Sequence, residues 1–203
     1  MNGPIAGASA IIPLYERTAP AWLAARGTDL IETQWLDLFT RRLPCDGTIL
    51  DLGCGGGAPI GAELLRRGFA VTGVDSAASL IRHAEATLPD GTWVVGDMRR
   101  FDPADRFDGI IAWHSFFHLG SDDQRAMIPR FAGLVRPGGS IMFTSGLQAG
   151  EVWGKWQGEP LFHASLAPDE YRDLLGAAGF EAIEFINADP IAFVWFATRQ
   201  SRA

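Results

Sequence analysis

The spacing of hydrophobic positions changes along the chain from a helical to a strand-like pattern. Between Leu14 and Leu43 apolar residues recur at intervals of three and four, which predicts two amphipathic helices. From Thr48 onwards the apolar residues form short runs rich in β-branched and aromatic side chains, and each run predicts a strand. The five predicted strands are Thr48–Leu52, Phe69–Val74, Trp93–Val95, Phe107–Ala112 and Ser140–Thr144.

Helical segments separate most of these strands. They are predicted at Ile60–Arg67, Ala77–Thr87 and Asp122–Val135, the last with Ser121 as its N-cap. Such alternation predicts a parallel sheet with right-handed crossovers, and the apolar run of the fourth strand favours strands that are covered on both faces. Residues 136–139, Arg-Pro-Gly-Gly, are predicted to form a turn before the fifth strand.

The C-terminal segment breaks this alternation. Glu181–Ile186 and Ile191–Thr198 are strand-like runs joined by only residues 187–190, which are too few for a helical crossover. The sheet is therefore expected to end in an antiparallel pair. The predicted fold is α/β and Rossmann-like, with a seven-stranded, mostly parallel sheet, an antiparallel last strand, helices on both faces and N-terminal helices.

A single domain is predicted over residues 1–203. Within it we expect an N-terminal helical cap at 1–45, a core at 46–146, and a C-terminal part at 147–203 that holds a lid, a helix and the terminal strand pair. The lid is residues 147–165, a long connection in which Trp153 and Trp156 argue against disorder. Those two rings could equally cover the hydrophobic edge of the sheet.

Composition narrows the classes of protein. Charged residues make up 20% of the chain and the net charge is −7, which disfavours a nucleic acid partner. The two cysteines, Cys45 and Cys54, suggest neither a disulfide framework nor a metal site. No apolar run is long enough to span a membrane, and no basic residue precedes the apolar N-terminus as in a secretion signal. We therefore expect a cytoplasmic protein with no membrane partner; its oligomeric state stays open.

The strongest local signal is residues 49–58, a strand that runs into a glycine-rich loop. Gly53, Gly55 and Ala58 match a dinucleotide-binding pattern, with Asp75 placed as a ribose-binding acid. Glycines at these positions let a ligand approach the backbone. Asp51 lies inside the strand, where an ionised carboxylate needs a partner, and a cationic ligand amine would supply one.

Residues 51–57, Asp-Leu-Gly-Cys-Gly-Gly-Gly, resemble the first motif of the class I S-adenosylmethionine-dependent methyltransferases. Four further segments follow in that family's order, namely Val71–Ser76, Gly96–Met98, Phe107–Trp113 and Leu134–Gly139. The resemblance implies that S-adenosylmethionine is the cofactor and S-adenosylhomocysteine the product. The residues it implies for cofactor binding are Tyr15, Asp51, Gly53, Cys54, Gly55, Asp75, Ser76, Asp97, Met98 and Trp113.

The same resemblance assigns roles within that set. Asp75 would take both ribose hydroxyls, Asp97 the adenine amino group, and the Met98 backbone the adenine ring. Tyr15 belongs to a segment similar to the helix that small-molecule methyltransferases of this class place over the cofactor.

The segment after the fourth strand, Trp113–Leu119, should border the reacting centre, because ligands of such sheets bind beyond the carboxyl ends of the strands. It lacks the Asn-Pro-Pro-Tyr type of motif, which disfavours methylation of nucleic acid bases. His114 is the candidate base for a hydroxyl or amine acceptor, although it could equally be a structural residue beneath the cofactor. His118 and His163 could reach the same pocket, without the further ligands that a metal site needs.

Three functions remain open on these residues. The leading hypothesis is methyl transfer to a small-molecule acceptor, since the segments expected to cover the pocket are aromatic and uncharged. The second is a non-catalytic protein that binds S-adenosylmethionine. The third is an NAD(P)-dependent reductase, which only the glycine pattern favours.

Overall fold

A seven-stranded sheet organises the molecule, which is a computed structural model that describes residues 7–187 and 193–201. The strands are β1 (Thr48–Leu52), β2 (Ala70–Asp75), β3 (Thr92–Val95), β4 (Phe107–Ala112), β5 (Val135–Ser145), β6 (Gly150–Trp156), β7 (Glu159–Ser165), β8 (Phe180–Ile186) and β9 (Phe193–Arg199). The α-helices are α1 (Ile11–Arg26), α2 (Thr33–Thr40), α3 (Ile60–Arg66), α4 (Ala78–Thr87), α5 (Ser121–Leu134) and α6 (Pro168–Ala177). Short 3-10 helices lie at Gly7–Ala10 and Phe116–His118.

The strand order in the sheet is β3-β2-β1-β4-β5-β9-β8. Pairs from β3 to β5 are parallel, whereas β9 is antiparallel to both of its neighbours. The chain winds outwards from β1 to β3 on one side and from β4 on the other, so the order reverses between β1 and β4. The predicted fold class and the antiparallel end of the sheet are therefore confirmed.

Alternate residues of each central strand enter two separate hydrophobic clusters. Leu50, Ile110 and Phe143 point into a cluster with α5 and α6, while Ile49 and Ile111 point into a cluster with α2, α3 and α4. Burial on both faces explains why these strands read as continuous apolar runs. The two predicted N-terminal helices are present as α1 and α2.

Two sequence expectations about local structure are wrong. Ser121 is the first residue of α5, and Gly120 is the N-cap. Residues 136–139 belong to β5, where the pairing with β4 shifts register between Phe107 and Gly109, so the expected turn is a bulge within the strand. Residues 188–192, which include most of the predicted connection between the last strands, lie outside the described residues.

The segment expected to be an irregular lid instead contains a two-stranded antiparallel sheet, β6 and β7. Gln157 and Gly158 form its two-residue turn with φ of 50° and 81°, the left-handed values that a tight hairpin requires. Trp153 pairs with Phe162 across the strands. Gly150 and Gly154 interrupt the alternation of side chains along β6, so the sequence pattern did not predict a strand there.

None of the described helices is long and apolar enough to cross a membrane. Within the same residues no group of three or more His, Cys, Asp or Glu side chains is arranged to hold a metal ion.

Candidate active site

A cavity of about 320 Å³ opens at the carboxyl ends of β1, β2 and β4, beside the point where strand order reverses. The structure brings all eleven residues predicted for the site to its wall, although they come from five separate segments of the chain. Further lining residues include Trp22, Arg26, Arg99, Ser115, Phe117, His118 and His163.

The glycine loop after β1 is shaped by its neighbours as well as by its backbone. Gly53 has φ of 78°, and a Cβ atom there would lie 2.3 Å from Cβ of Ser115. Gly55 has φ of 57°, and its Cβ would lie 2.4 Å from the Trp22 ring on α1. Because both positions combine left-handed backbone with close packing, only glycine fits without a shift. The loop therefore leaves its backbone open to the cavity.

Asp51 is a buried carboxylate at the wall of this cavity, with only 3% of its surface exposed. Burial, and then the nearby charge of Asp75, raise its pKa to about 7. Among the described residues no hydrogen-bond donor reaches it. A buried acid without a donor indicates that a cationic ligand group belongs beside it.

Asp75 ends β2 and fastens the glycine loop. Its Oδ2 accepts a hydrogen bond from the Gly55 amide at 2.9 Å, and its Oδ1 accepts one from Ala77 at 2.8 Å. Burial raises its pKa despite these bonds, which act in the opposite direction. Since a carboxylate offers about four lone-pair sites, both oxygens keep capacity for a diol. Ser76 lines the cavity beside it.

Cys54 lies in the loop with its thiol buried. Burial, followed by the charges of Asp51 and Asp75, holds the pKa of the Cys54 thiol well above its ordinary value. The thiol therefore stays protonated and acts as a packing group rather than as a nucleophile.

Asp97 and Met98 follow β3 and line the same cavity. Arg99 donates to both Asp97 oxygens at 2.9 and 2.6 Å and also reaches Asp123 at 2.7 Å. Burial alone would raise the pKa of Asp97, but the hydrogen bonds from Arg99 outweigh it and lower the pKa. Arg99 therefore keeps Asp97 ionised and fixed in position. Sequence reasoning missed this arginine because it follows the motif and looks like an exposed turn residue.

His118 joins three segments around the cavity. Its Nε2 lies 3.0 Å from the Tyr15 hydroxyl of α1, and its Nδ1 lies 2.9 Å from the Phe162 carbonyl of β7. Burial lowers the pKa of His118 to about 4, so the ring is neutral at physiological pH. The carbonyl can only accept, which places the proton on Nδ1 and makes the Tyr15 hydroxyl the donor to Nε2. Burial, and then Asp75, raise the pKa of Tyr15 to about 12, so the phenol keeps its proton.

Removing the His118 side chain is expected to lower the free energy of unfolding by about 3 kcal/mol, because it leaves two buried polar partners unpaired and opens space in the wall. Tyr15→Phe removes only one of the two hydrogen bonds and should cost about 1 kcal/mol. Urea denaturation of His118→Ala and Tyr15→Phe measures both. Equal losses in the two variants would contradict the bridging role.

Trp113 and His114 follow β4. Their rings stack with centroids 5.0 Å apart, and the Trp113 indole nitrogen is buried with no hydrogen-bond partner among the described residues. His114 has φ of 49°, an uncommon value for a residue with a side chain, while its backbone amide donates to Thr144 at 2.9 Å. This backbone sets the exposed His114 side chain at the mouth of the cavity.

Helix α1 and the hairpin β6–β7 together form the cover of the cavity. Arg17 of α1 pairs with Glu159 of β7, and the Trp156 indole donates to Thr18 at 3.0 Å. At its other side α1 is held by Glu16, which accepts hydrogen bonds from the amide and hydroxyl of Ser79 in the first turn of α4. The expected lid segment thus lies beside the site, although in a regular form.

Arg26, at the end of α1, is a lining residue that sequence reasoning did not select. It donates to Glu32 at 2.6 Å and shares the cavity wall with the glycine loop. A basic residue in the last turn of a helix is ordinarily interpreted as a partner of the helix dipole, so no local signal marks it as part of a site.

Comparison with known proteins decides between the interpretations of the glycine loop. The family model described as "Methyltransferase domain" matches residues 49–139. This part of the chain is therefore similar to a methyltransferase domain, in agreement with its motifs. The match disfavours the nicotinamide-dependent reductase. Within the matched residues lie the glycine loop, Asp75, Asp97 and His114, whereas Tyr15, Trp22 and the hairpin lie outside them.

Curated proteins that resemble this chain match only part of it. One is an uncharacterised methyltransferase of Bacillus licheniformis, 35% identical over 97 residues, an alignment that covers 47% of this chain and 45% of that protein. The chain spans less than half of the length of the first curated relatives that it matches.

Solved structures extend the likeness to almost the whole chain. An amino pentose methyltransferase of Micromonospora echinaspora with bound S-adenosylmethionine has a TM-score of 0.72 and 20% identity, covering 89% of this chain and 96% of that one. The 1,6-didemethyltoxoflavin-N1-methyltransferase of Burkholderia thailandensis, with its acceptor and S-adenosylhomocysteine, has a TM-score of 0.67 and 19% identity, covering 99% and 94%. At these identities the likeness concerns the fold alone.

Proposed function

We propose that the protein transfers the methyl group of S-adenosylmethionine to a small-molecule acceptor in the cytoplasm. The observation that carries the proposal is one cavity whose wall holds the glycine loop and three carboxylates at the ends of successive strands, Asp51, Asp75 and Asp97. A ligand with a cationic amine, a diol and an adenine matches that series. Relatives and structural neighbours named as methyltransferases support it.

The cavity wall offers a side chain of suitable chemistry for each part of the cofactor. Asp51, which has no hydrogen-bond donor among the described residues, would hold the amine, and the Arg26 guanidinium would hold the carboxylate. Asp75 would accept from the ribose hydroxyls. Asp97, held by Arg99, would accept from the adenine amino group next to Met98.

The bound cofactor supplies an electrophilic methyl group on a sulfonium. The protein's own contribution is alignment, because displacement at that carbon needs the acceptor atom opposite the sulfur. The acceptor oxygen or nitrogen forms the new bond to carbon, and the carbon–sulfur bond breaks with its electron pair on sulfur. The acceptor proton would leave to His114 at the mouth of the cavity.

Titration of the purified protein with S-adenosylmethionine, S-adenosylhomocysteine and NADH tests the proposal, with radiolabelled methyl transfer to an acceptor panel as the second stage. Binding of the first two ligands but not of NADH is expected. Binding of NADH alone would overturn it. Tight cofactor binding without transfer to any acceptor would instead favour the non-catalytic binding protein, the second candidate.

The Asp51 carboxyl makes the free energy of unfolding of the ligand-free protein depend on pH. Its pKa is raised from 3.8 to about 7 in the folded state, so the folded chain binds an extra proton between these values. Its contribution to the free energy of unfolding is therefore greatest below pH 4 and is lost as the pH rises through 7. Asp51→Asn is expected to remove this decline, measured by urea denaturation from pH 4 to 8. An unchanged pH profile would contradict the assignment.

The same group should release a proton when a cationic ligand binds. At pH 6 the Asp51 carboxyl is protonated in the free protein and would ionise beside the ligand amine. Calorimetry with S-adenosylhomocysteine in buffers of different ionisation enthalpy should show release of up to about one proton at pH 6 and none above pH 8. Asp51→Asn should show no release at either pH.

A further inference from the structure

The cavity continues past the glycine loop and the carboxylates Asp51, Asp75 and Asp97 into a part that we call the ring end. Its lining residues are Ala8, Ile11, Ile12, Tyr15, His114, Phe117, His118 and His163. Helix α1 shows where the ring end lies relative to the glycine loop. Its last turns, with Trp22 and Arg26, lie towards the glycine loop. Its first turns, with Ile11, Ile12 and Tyr15, line the ring end.

Formal charges are concentrated away from the ring end. The charged residues lining the described cavity are Arg26, Asp51, Asp75, Asp97 and Arg99. Four of them belong to β1, to β2 or to the turn after β3, and the fifth ends α1. The ring end lies instead beside β4 and β7. Among the described residues it therefore offers neither a carboxylate for a cationic amine nor an arginine or lysine for an acid.

Aromatic and imidazole rings form a connected set there. The His118 and His163 rings stack at 4.9 Å with planes 26° apart, and Phe117 lies edge-on to His163 at 4.9 Å. Tyr15 meets His118 at 5.4 Å. Such rings offer flat faces to a planar ligand at little conformational cost. Burial lowers the pKa of both His118 and His163, so these two imidazoles add no charge at neutral pH.

His163 supplies a polar group for recognition. It is partly buried at the cavity wall, and no described residue forms a hydrogen bond with its ring nitrogens. The backbone of β7 fixes the position of the ring through its pairing with Val152. A neutral imidazole can accept a hydrogen bond from a hydroxyl or a ring N–H of a ligand.

We propose that the methyl acceptor is a planar, uncharged aromatic compound with a ring hydroxyl or ring N–H, held against Phe117 and oriented by His163. This inference rests on the proposed methyl transfer. The proposal excludes two classes of acceptor. Amino sugars carry a cationic amine without a flat ring, and carboxylic acids carry a negative charge. His163 is then a specificity-determining residue.

The test measures acceptor binding by saturation-transfer NMR with the protein saturated in S-adenosylhomocysteine, at pH 7. The probes are catechol, protocatechuate, which adds a carboxylate to the same ring, and glucosamine. Catechol is expected to bind at least tenfold more tightly than either of the others. Equal or tighter binding of protocatechuate or glucosamine would overturn the inference, as would absence of catechol binding.

Variants locate the effect within the ring end. Phe117→Ala and His163→Ala are each expected to weaken catechol binding about tenfold while leaving the affinity for S-adenosylhomocysteine unchanged. Ile31→Ala, at an exposed residue that does not line the cavity, is the matched control and should change neither. Ile12→Arg should favour protocatechuate over catechol because it places a cation at the ring end. An unchanged affinity for catechol in Phe117→Ala and His163→Ala would contradict the proposed placement of the acceptor at the ring end.

The two proposals fail in different ways. If S-adenosylhomocysteine itself does not bind, the proposed function is wrong. If it binds and the neutral ring does not, only the acceptor class is wrong.

Discussion

Asp75→Ala should weaken the binding of S-adenosylhomocysteine roughly a hundredfold. A hydrogen bond to a charged group contributes about 1.5 to 3 kcal/mol, so two bonds to the ribose amount to about 3 kcal/mol at the lower limit. The substitution also removes the acceptor for the amides of Gly55 and Ala77, which releases the glycine loop. Isothermal titration calorimetry gives the affinity directly.

Two further variants distinguish the ribose contacts from a general loss of negative charge. Asp90→Ala removes an exposed acid that does not line the site and should leave the affinity unchanged. Asp75→Asn keeps one acceptor oxygen and should fall between the wild type and Asp75→Ala. An affinity for Asp75→Ala within twofold of the wild type would show that the ribose is bound elsewhere.

Gly53→Ala is expected to destabilise the fold by about 3 kcal/mol and to abolish measurable cofactor binding. Part of the cost is the left-handed backbone at φ of 78°, which costs an alanine about 1 to 2 kcal/mol. The remainder is the overlap with Ser115, whose Cβ would lie 2.3 Å from the added carbon, and overpacking of this kind costs about 1 to 3 kcal/mol. Urea denaturation and calorimetry measure the two effects.

Gly133→Ala is the matched control, and its expected effect on stability has the opposite sign. It lies in α5, where an added Cβ would meet nothing within 4 Å, so alanine should stabilise the protein by about 0.5 to 1 kcal/mol. Cofactor affinity should not change. If both glycine substitutions had the same effect on stability, the close approach of Ser115 to Gly53 would not be what restricts that position.

Local sequence information was sufficient for the sheet and for the cofactor side of the site. The central strands are buried on both faces and therefore appear as apolar runs, and Asp51, Asp75 and Asp97 lie near the carboxyl ends of β1, β2 and β3. Their meeting follows from the parallel topology, because all the carboxyl ends face one edge of the sheet. The prediction therefore needed only the order of the elements.

The sequence places Tyr15, His118 and His163 each near the pocket, but the contacts among them could not be predicted in the same way. Tyr15, His118 and His163 come from distant segments, and what joins them is a buried imidazole with one partner on each side. The hairpin was missed because Gly150 and Gly154 interrupt the alternation of side chains along β6. No spacing rule predicts the contacts among these residues; only the packed structure shows them.

The contacts that hold α1 in place also determine when, during synthesis and folding, this helix can pack in its final position. Its partners lie 63 residues away at Ser79, 103 at His118 and 142 at Glu159. Contacts of such long range form slowly, since chain closure must precede them. Helix α1 is synthesised before all three of these partners, so its apolar side stays uncovered until the hairpin has been synthesised and can pack against it.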